Sequence, residues 1–101
     1  MGGHLVSGHV DGIATVLQRK TAARAEEFWL QAPKALARYI AHKGSVCLDG
    51  ISLTVNAVDG DNFALTIVPH TLDATTIATW RAGTQVNLEV DLLARYMERL
   101  L

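Results

Sequence analysis

The sequence is short of most features that mark a specialised scaffold. Its 101 residues contain one cysteine, Cys47. A single thiol excludes an intrachain disulfide, and with it the disulfide-dense secreted scaffolds. Lysine and arginine number 9 against 10 acids, a formal net charge of −1 with histidine neutral. No basic stripe stands out, so nucleic acid is not an expected partner. No apolar run approaches the ~20 residues that a membrane span requires, and no membrane association is expected. A charged segment followed by an apolar one is missing at the start, so no signal peptide is read and the cytoplasm is the expected compartment. The opening MGGHLVS fails the myristoylation pattern at its sixth position, where Val6 stands in place of Ser or Thr.

What the chain does have is apolar content. Half of its residues are hydrophobic, enough for one core, and its length suits one domain spanning residues 1–101. A domain this short buries only about 60–70% of its unfolded surface, so its stability margin is small. VDGIATVL, from Val10 to Leu17, is β-branched and broken by Gly12, and predicts a strand with a bend or bulge. RKTAARAEE reads as a charged connection. EFWLQAP predicts a short strand with Phe28 and Leu30 on one face and Trp29 on the other. Pro33 suits the first turn of a helix, and PKALARYIAHKG predicts one, with Leu36, Tyr39 and Ile40 on one side and Gly44 as its C′ residue.

Asp49-Gly50 is a strong hairpin signal, because a type I′ turn needs positive φ at both central residues. Its arms are expected over 45–48 and 51–58. A second turn at DGDN leads to a strand over 63–68, which Pro69 ends. HTLDATTIATWRAG reads as irregular or a short helix. TQVNLEVD predicts a strand with Val86, Leu88 and Val90 on one face, and DLLARYMERLL a closing helix capped by Asp91. The tally is about six mostly antiparallel strands with two or three helices, an all-β barrel or sandwich.

Few residues carry obvious chemistry. His4 and His9 are five apart, so a regular strand would put them on opposite faces. Together with His42, His70 and Cys47 they make no zinc spacing, so no metal site is expected. The glycines of GGHLVSGHVDG do not form a phosphate-binding loop, because no strand precedes them and no helix follows. Ser52 and Thr54 lie on one side of a strand, with Cβ atoms roughly 7 Å apart. That spacing suits both ends of a flat polar heterocycle, and it equally suits a plain solvent face. Ser52 sits in no nucleophile elbow. Taken singly, His9 reads as a loop histidine bonded to backbone, Lys43 as a helix C-terminal cation, and Asp91 as a cap.

Together these stretches say more. GGHLVSGHVDG, KGSVCLDGISLTVN, VPHTLDATTI and VNLEVDLLARYMER occur in this order, and they closely resemble the carboxy-terminal lumazine-binding repeat of the riboflavin synthase family. The resemblance runs from Gly2 to Leu101. It implies a six-stranded antiparallel Greek-key barrel closed by short helices and a C-terminal helix. Members of the family carry two such repeats, assemble as trimers, and need neither metal nor organic cofactor. This chain matches one repeat, so it looks like half an enzyme that awaits an amino-terminal repeat.

The implied reaction is a dismutation of two 6,7-dimethyl-8-ribityllumazine molecules. One donates a four-carbon unit to the other, giving riboflavin and a pyrimidinedione. Each repeat would hold one substrate, and the site would form where two barrels face each other. The resemblance makes Gly8, His9, Val10, Lys43, Ser52, Leu53 and Thr54 substrate contacts. The segment Thr66, Ile67, Val68, Pro69, His70 and Thr71 would cradle the ring. His4 and Asp91 would stand near the ribityl chain and the subunit contact. His9 is the expected proton shuttle and Ser52 the hydroxyl at the reacting carbon. The alternative implied is a non-catalytic binding module similar to lumazine protein; retention of His9, Ser52 and Lys43 speaks against it. The C-terminal helix that drives trimer formation in the family stops here after YMERLL, yet a homo-oligomer remains the expectation.

Overall fold

The computed structural model describes residues 9–91 and, beyond them, Leu93, Tyr96, Met97 and Leu100, which are helical. Seven strands form one sheet: β1 (Gly12–Ala22), β2 (Ala25–Gln31), β3 (Ser45–Leu48), β4 (Ile51–Thr54), β5 (Ala57–Asp59), β6 (Asn62–Ile67) and β7 (Gln85–Val90). Their order is β4-β3-β7-β1-β2-β6-β5, and every neighbouring pair is antiparallel. The sheet curls around a core of alternate residues. Ala14 and Val16 of β1, Phe28 and Leu30 of β2, Val46 and Leu48 of β3, Phe63 and Leu65 of β6, and Val86 and Leu88 of β7 are all buried. Period-two alternation puts them on one face.

Among the described residues the sheet has seven strands where about six were expected. The arm expected over 51–58 is split at Val55 and Asn56. Val55 N–H donates to Gly44 C=O at 2.8 Å and Val55 C=O accepts from Lys43 N–H at 2.8 Å, while Asn56 N–H donates to Ala64 C=O at 2.8 Å. The chain therefore leaves the flank of β3 and joins that of β6 within one residue. The two outermost strands, β4 and β5, are joined by this crossing.

The hairpin at Asp49-Gly50 forms as predicted, with φ of 49° and 82°. Asp49 has a second use. Its N–H donates to Asn87 C=O at 2.9 Å, and its Oδ1 accepts from Asn87 N–H at 2.8 Å, so the turn is stitched to β7. Asp11 Oδ2 does the same for Val90 N–H at 2.9 Å.

The helix expected after Pro33 is only α1 (Lys34–Ala37). Beyond it Tyr39 N–H bonds Leu36 C=O and Ile40 N–H bonds Ala37 C=O, the tighter i to i+3 pattern. That winding sends Ile40 into the core. The positive φ expected at Gly44 falls on Lys43, at 68°. Gly44 is constrained differently, since a Cβ there would stand 3.0 Å from Ala41 C=O. Gly12 is a close approach as well: a Cβ would meet Leu36 Cδ1 at 2.8 Å, where α1 crosses the start of β1.

RKTAARAEE is not a connection but the tip of a long hairpin. The register shifts between Val16 and Gln18, a bulge that leaves Leu17 exposed and sets Arg19 opposite Phe28. Arg19 uses that position fully. Its guanidinium donates to Ala78 C=O at 2.8 Å and Trp80 C=O at 3.0 Å, approaches Glu26 at 3.5 Å, and lies 5.2 Å from the Phe28 ring centre. Those carbonyls end the 3-10 turn Thr76–Thr79, which follows α2 (Pro69–Ala74) and carries Ile77 and Trp80 into the core. Trp80 meets Phe28 edge to face, centroids 5.6 Å apart.

Cys47 is buried on the opposite face from Val46 and Leu48, between Ser52 on β4 and Glu89 on β7. Burial pushes its thiol above the ordinary 9.0, and the Glu89 carboxylate adds to the shift.

Two outcomes follow from these contacts. Replacing Arg19 with Met keeps the stem and removes the donors, and should cost about 1–3 kcal/mol of unfolding free energy by urea denaturation. For Cys47, the native thiol keeps its proton where the unfolded one releases it. The stability it lends is intact below pH 9.0 and is lost as pH rises through the higher native value. Between pH 8 and pH 10 the native chain should therefore lose more stability than the Cys47→Ala variant does.

Candidate functional site

Edge strands decide where this molecule can accept a flat ligand. Among the described residues β4 pairs only with β3. Val55 exchanges its backbone bonds with the β3 side. By antiparallel alternation Ile51 and Leu53 do likewise, and Ser52 and Thr54 turn their N–H and C=O groups to the outer edge. Their side chains share the face away from the core, whereas Leu53 packs on it. Each of the two residues thus offers a hydroxyl and an unsatisfied backbone pair to the same side.

Ser52 has a further peculiarity. Its Oγ is buried and has no hydrogen-bond partner among the described residues. A buried hydroxyl without a partner costs about 1–3 kcal/mol, so its bonding capacity is unspent. The residue as a whole is half-buried and stands on the free edge.

Across the crossing lies the second group. Asn56 keeps the parity of Ser52 and Thr54, and its side-chain amide bonds the Thr66 hydroxyl on β6. From Thr66 the chain runs directly through Ile67, Val68 and Pro69 into α2. Thr66, Val68, Pro69 and His70 are exposed and Thr71 half-buried, whereas the Ile67 side chain belongs to the core. Ile67 therefore presents only backbone. Thr71 C=O accepts from Thr75 Oγ1 at 2.7 Å, and Leu72 N–H donates to Val68 C=O at 3.1 Å, which fixes the turn after the strand. Lys43, exposed, sits one residue before Gly44 on the other side of β4. Its left-handed φ costs a non-glycine residue roughly 1–2 kcal/mol.

The crossing thus collects Lys43, Ser52, Thr54 and the 66–71 segment. It does not collect His9 and Val10. These precede β1, and β7 and β3 stand between β1 and β4. At the usual strand spacing that is about 14 Å along the sheet. Both residues are exposed. Asp91 Oδ1 accepts from Leu93 N–H at 2.9 Å, so this carboxylate is the helix cap read from the sequence. His4 and Gly8 lie outside the described residues.

A hollow of about 470 Å³ opens one strand away from Ser52. Cys47 and Glu89 floor it, with Val10, Asp49, Asn87 and Thr79 around them. Glu89 is buried, and neither it nor Cys47 was legible as part of a recess. Asn56 was missed too, although its shared parity with Ser52 and Thr54 was a usable signal. Among the described residues, no group of three or more His, Cys, Asp or Glu side chains is placed to hold a metal ion. No helix among them is long and apolar enough to cross a membrane.

Comparison with known proteins agrees with this geometry. The chain is 57% identical over 100 residues to a riboflavin synthase of Photobacterium phosphoreum, covering 99% of this chain and 46% of that protein. It is 53% identical over 100 residues to the riboflavin synthase of Brucella abortus, covering 99% of this chain and 50% of that one. The chain thus spans about half the length of these relatives. Among solved structures, LumP complexed with 6,7-dimethyl-8-(1'-D-ribityl) lumazine superposes with a TM-score of 0.83 at 21% identity, over 89% of this chain and 51% of that one. At that identity the likeness is one of fold. The model of the lumazine binding domain matches residues 7–91, and the chain belongs to that family.

Proposed function

We propose that this chain is one lumazine-binding half of a riboflavin synthase. The observation that carries the reading is Ser52, a hydroxyl without a partner among the described residues, on a strand that pairs among them only with β3, two residues from Thr54 and on the strand whose continuation at Asn56 bonds Thr66. A dioxopteridine ring is flat, and its imide edge alternates acceptor, donor, acceptor. An edge strand offering N–H and C=O groups in turn is its complement. Lys43 and Thr71 bracket the same edge and suit the ring's periphery and the polyhydroxyl chain. Counting β4 and β5 as one kinked strand gives six, which fits a Greek-key barrel.

The chemistry then follows from the substrate. The C7 methyl group of the lumazine is acidic, because its anion is delocalised into the ring. Catalysis needs a base for that proton, a nucleophile or water at C7 of a second molecule, and two rings held face to face. Ser52 is the candidate hydroxyl at C7. His9 is the candidate proton shuttle, since an imidazole both donates and accepts a proton. Its distance across the sheet from Ser52 suits a face-to-face site, where it can serve the ring held by the opposing barrel. The facing barrel would be the amino-terminal repeat of the whole enzyme or, in a homo-oligomer, a second copy. The exposed apolar stripe Leu93, Tyr96, Met97 and Leu100, at i, i+3, i+4 and i+7, supports assembly. A cytoplasmic location and cofactor-free turnover go with this reading.

The test is to titrate the 101-residue chain with 6,7-dimethyl-8-ribityllumazine, following substrate fluorescence and riboflavin absorbance together. A saturable fluorescence change is expected, and riboflavin formation only where two barrels associate. No fluorescence change at any protein concentration would overturn the reading. Ser52→Ala should weaken binding. The same change removes an unpaired buried hydroxyl, so it should leave the chain as stable or about 1 kcal/mol more stable by urea denaturation. A loss of stability equal to the loss of binding would show that the serine serves the fold instead.

A further inference from the structure

The bond between Asn56 and Thr66 has a direction. Asn56 Nδ2 is the donor and Thr66 Oγ1 the acceptor. A hydroxyl has one proton and two lone pairs. Accepting from an amide occupies a lone pair and leaves the proton to be donated elsewhere. Both residues are exposed, so that proton is offered to the outer face. The crossing itself does not need the bond. Asn56 N–H already reaches Ala64 C=O, and Ala57 and Val58 pair with Ala64 and Phe63.

We propose that Asn56 is a positioning residue that fixes the Thr66 hydroxyl as a hydrogen-bond donor to the ligand. This rests on the reading of the site given above, and it adds a chemical requirement. The ligand must place an acceptor, a carbonyl oxygen or an unprotonated ring nitrogen, opposite Thr66. An analogue carrying an N–H there would leave two donors facing each other and be rejected.

The substitution Asn56→Asp separates this role from a structural one. The carboxylate has nearly the shape of the amide but only accepts. Thr66 must then turn its proton to residue 56, so the link survives with its polarity reversed. A link that mattered only for the fold would survive the change with binding intact. The donor to the ligand, however, is gone. Affinity for 6,7-dimethyl-8-ribityllumazine, by fluorescence titration of the 101-residue chain, should fall about five- to tenfold. The urea midpoint should not move. Thr66→Ser should bind as the native chain does, and Thr66→Val should lose as much affinity as Asn56→Asp.

A double-mutant cycle completes the test. With Thr66 already replaced by Val, Asn56→Asp should have no further effect. A full additional loss would mean that the carboxylate acts on the ligand directly, and the proposal would fall. Native affinity in Asn56→Asp would overturn it as well. Failure of the unsubstituted chain to bind is a different result: it removes the reading of the site, and this inference with it.

Discussion

Two backbone bonds one residue apart, Val55 N–H to Gly44 C=O and Asn56 N–H to Ala64 C=O, organise both the fold and the site. They carry the chain from one end of the sheet to the other. The Val55 side chain, buried to 1% exposure, anchors the crossing in the core. Burying a valine contributes roughly 1.5–3 kcal/mol, more than the net worth of either backbone bond alone. The crossing is therefore held from inside by an apolar side chain and finished outside by hydrogen bonds. Its cost is that β4 keeps an unpaired edge upstream of it, at Ser52 and Thr54. An open edge invites aggregation unless something covers it. A flat ligand, or a facing barrel that sandwiches one, covers it.

The same constraint explains why hydroxyls stand where charges would have been more soluble. A lysine or glutamate at position 52 or 54 would blunt the edge by the usual device. It would also fill the space in front of the backbone groups. Serine and threonine keep the edge accessible and add donors and acceptors of their own. Ser52 goes further, leaving its hydroxyl buried without a partner. Small domains have little stability to spare for such a group. On the proposed reading, that unspent hydroxyl is kept for a ligand.

Much of the fold was legible because most strands alternate strictly. Phe28 and Leu30, and Val86, Leu88 and Val90, were placed on the core face by period alone, and the core holds them all. Asp49-Gly50 named its turn type. What failed to show was fixed by distant partners. Alternation from Ile51 to Ala57 runs on unbroken, so nothing local announced that Gly44 and Ala64 would pull the strand two ways. RKTAARAEE looked solvated because it is charged. The Leu17 bulge turns Arg19 toward two carbonyls, and Thr21 Oγ1 reaches both Glu26 oxygens at 3.1 Å, so charge there extends the ladder. The helix after Pro33 shortened because burying Ile40 outweighed a regular 3.6 period. The site was legible chiefly through resemblance, which named Ser52, Thr54 and the 66–71 segment. Resemblance could not say that His9 precedes a strand three places along the sheet, nor that Asn56 closes the crossing.

That separation of His9 from Ser52 bears on what a single barrel can do. Holding a ring against β4 is binding, and binding that is equally strong in the ground state and the transition state adds no rate. In the proposed dismutation the acceleration comes from fixing a carbanion-forming ring against an acceptor ring, for which about 7–11 kcal/mol is available from positioning. One barrel with one edge fixes one ring. On the proposed reading, His9 lies before β1, which β7 and β3 separate from β4, so it would not touch a ring held at its own barrel's edge strand. It can serve a ring presented by a second barrel packed across that side. On the proposed reading the single chain would divide the labour: one flank would grip a substrate, and the other would act on a substrate held by a second barrel. On that division, affinity belongs to each barrel separately and rate only to the pair.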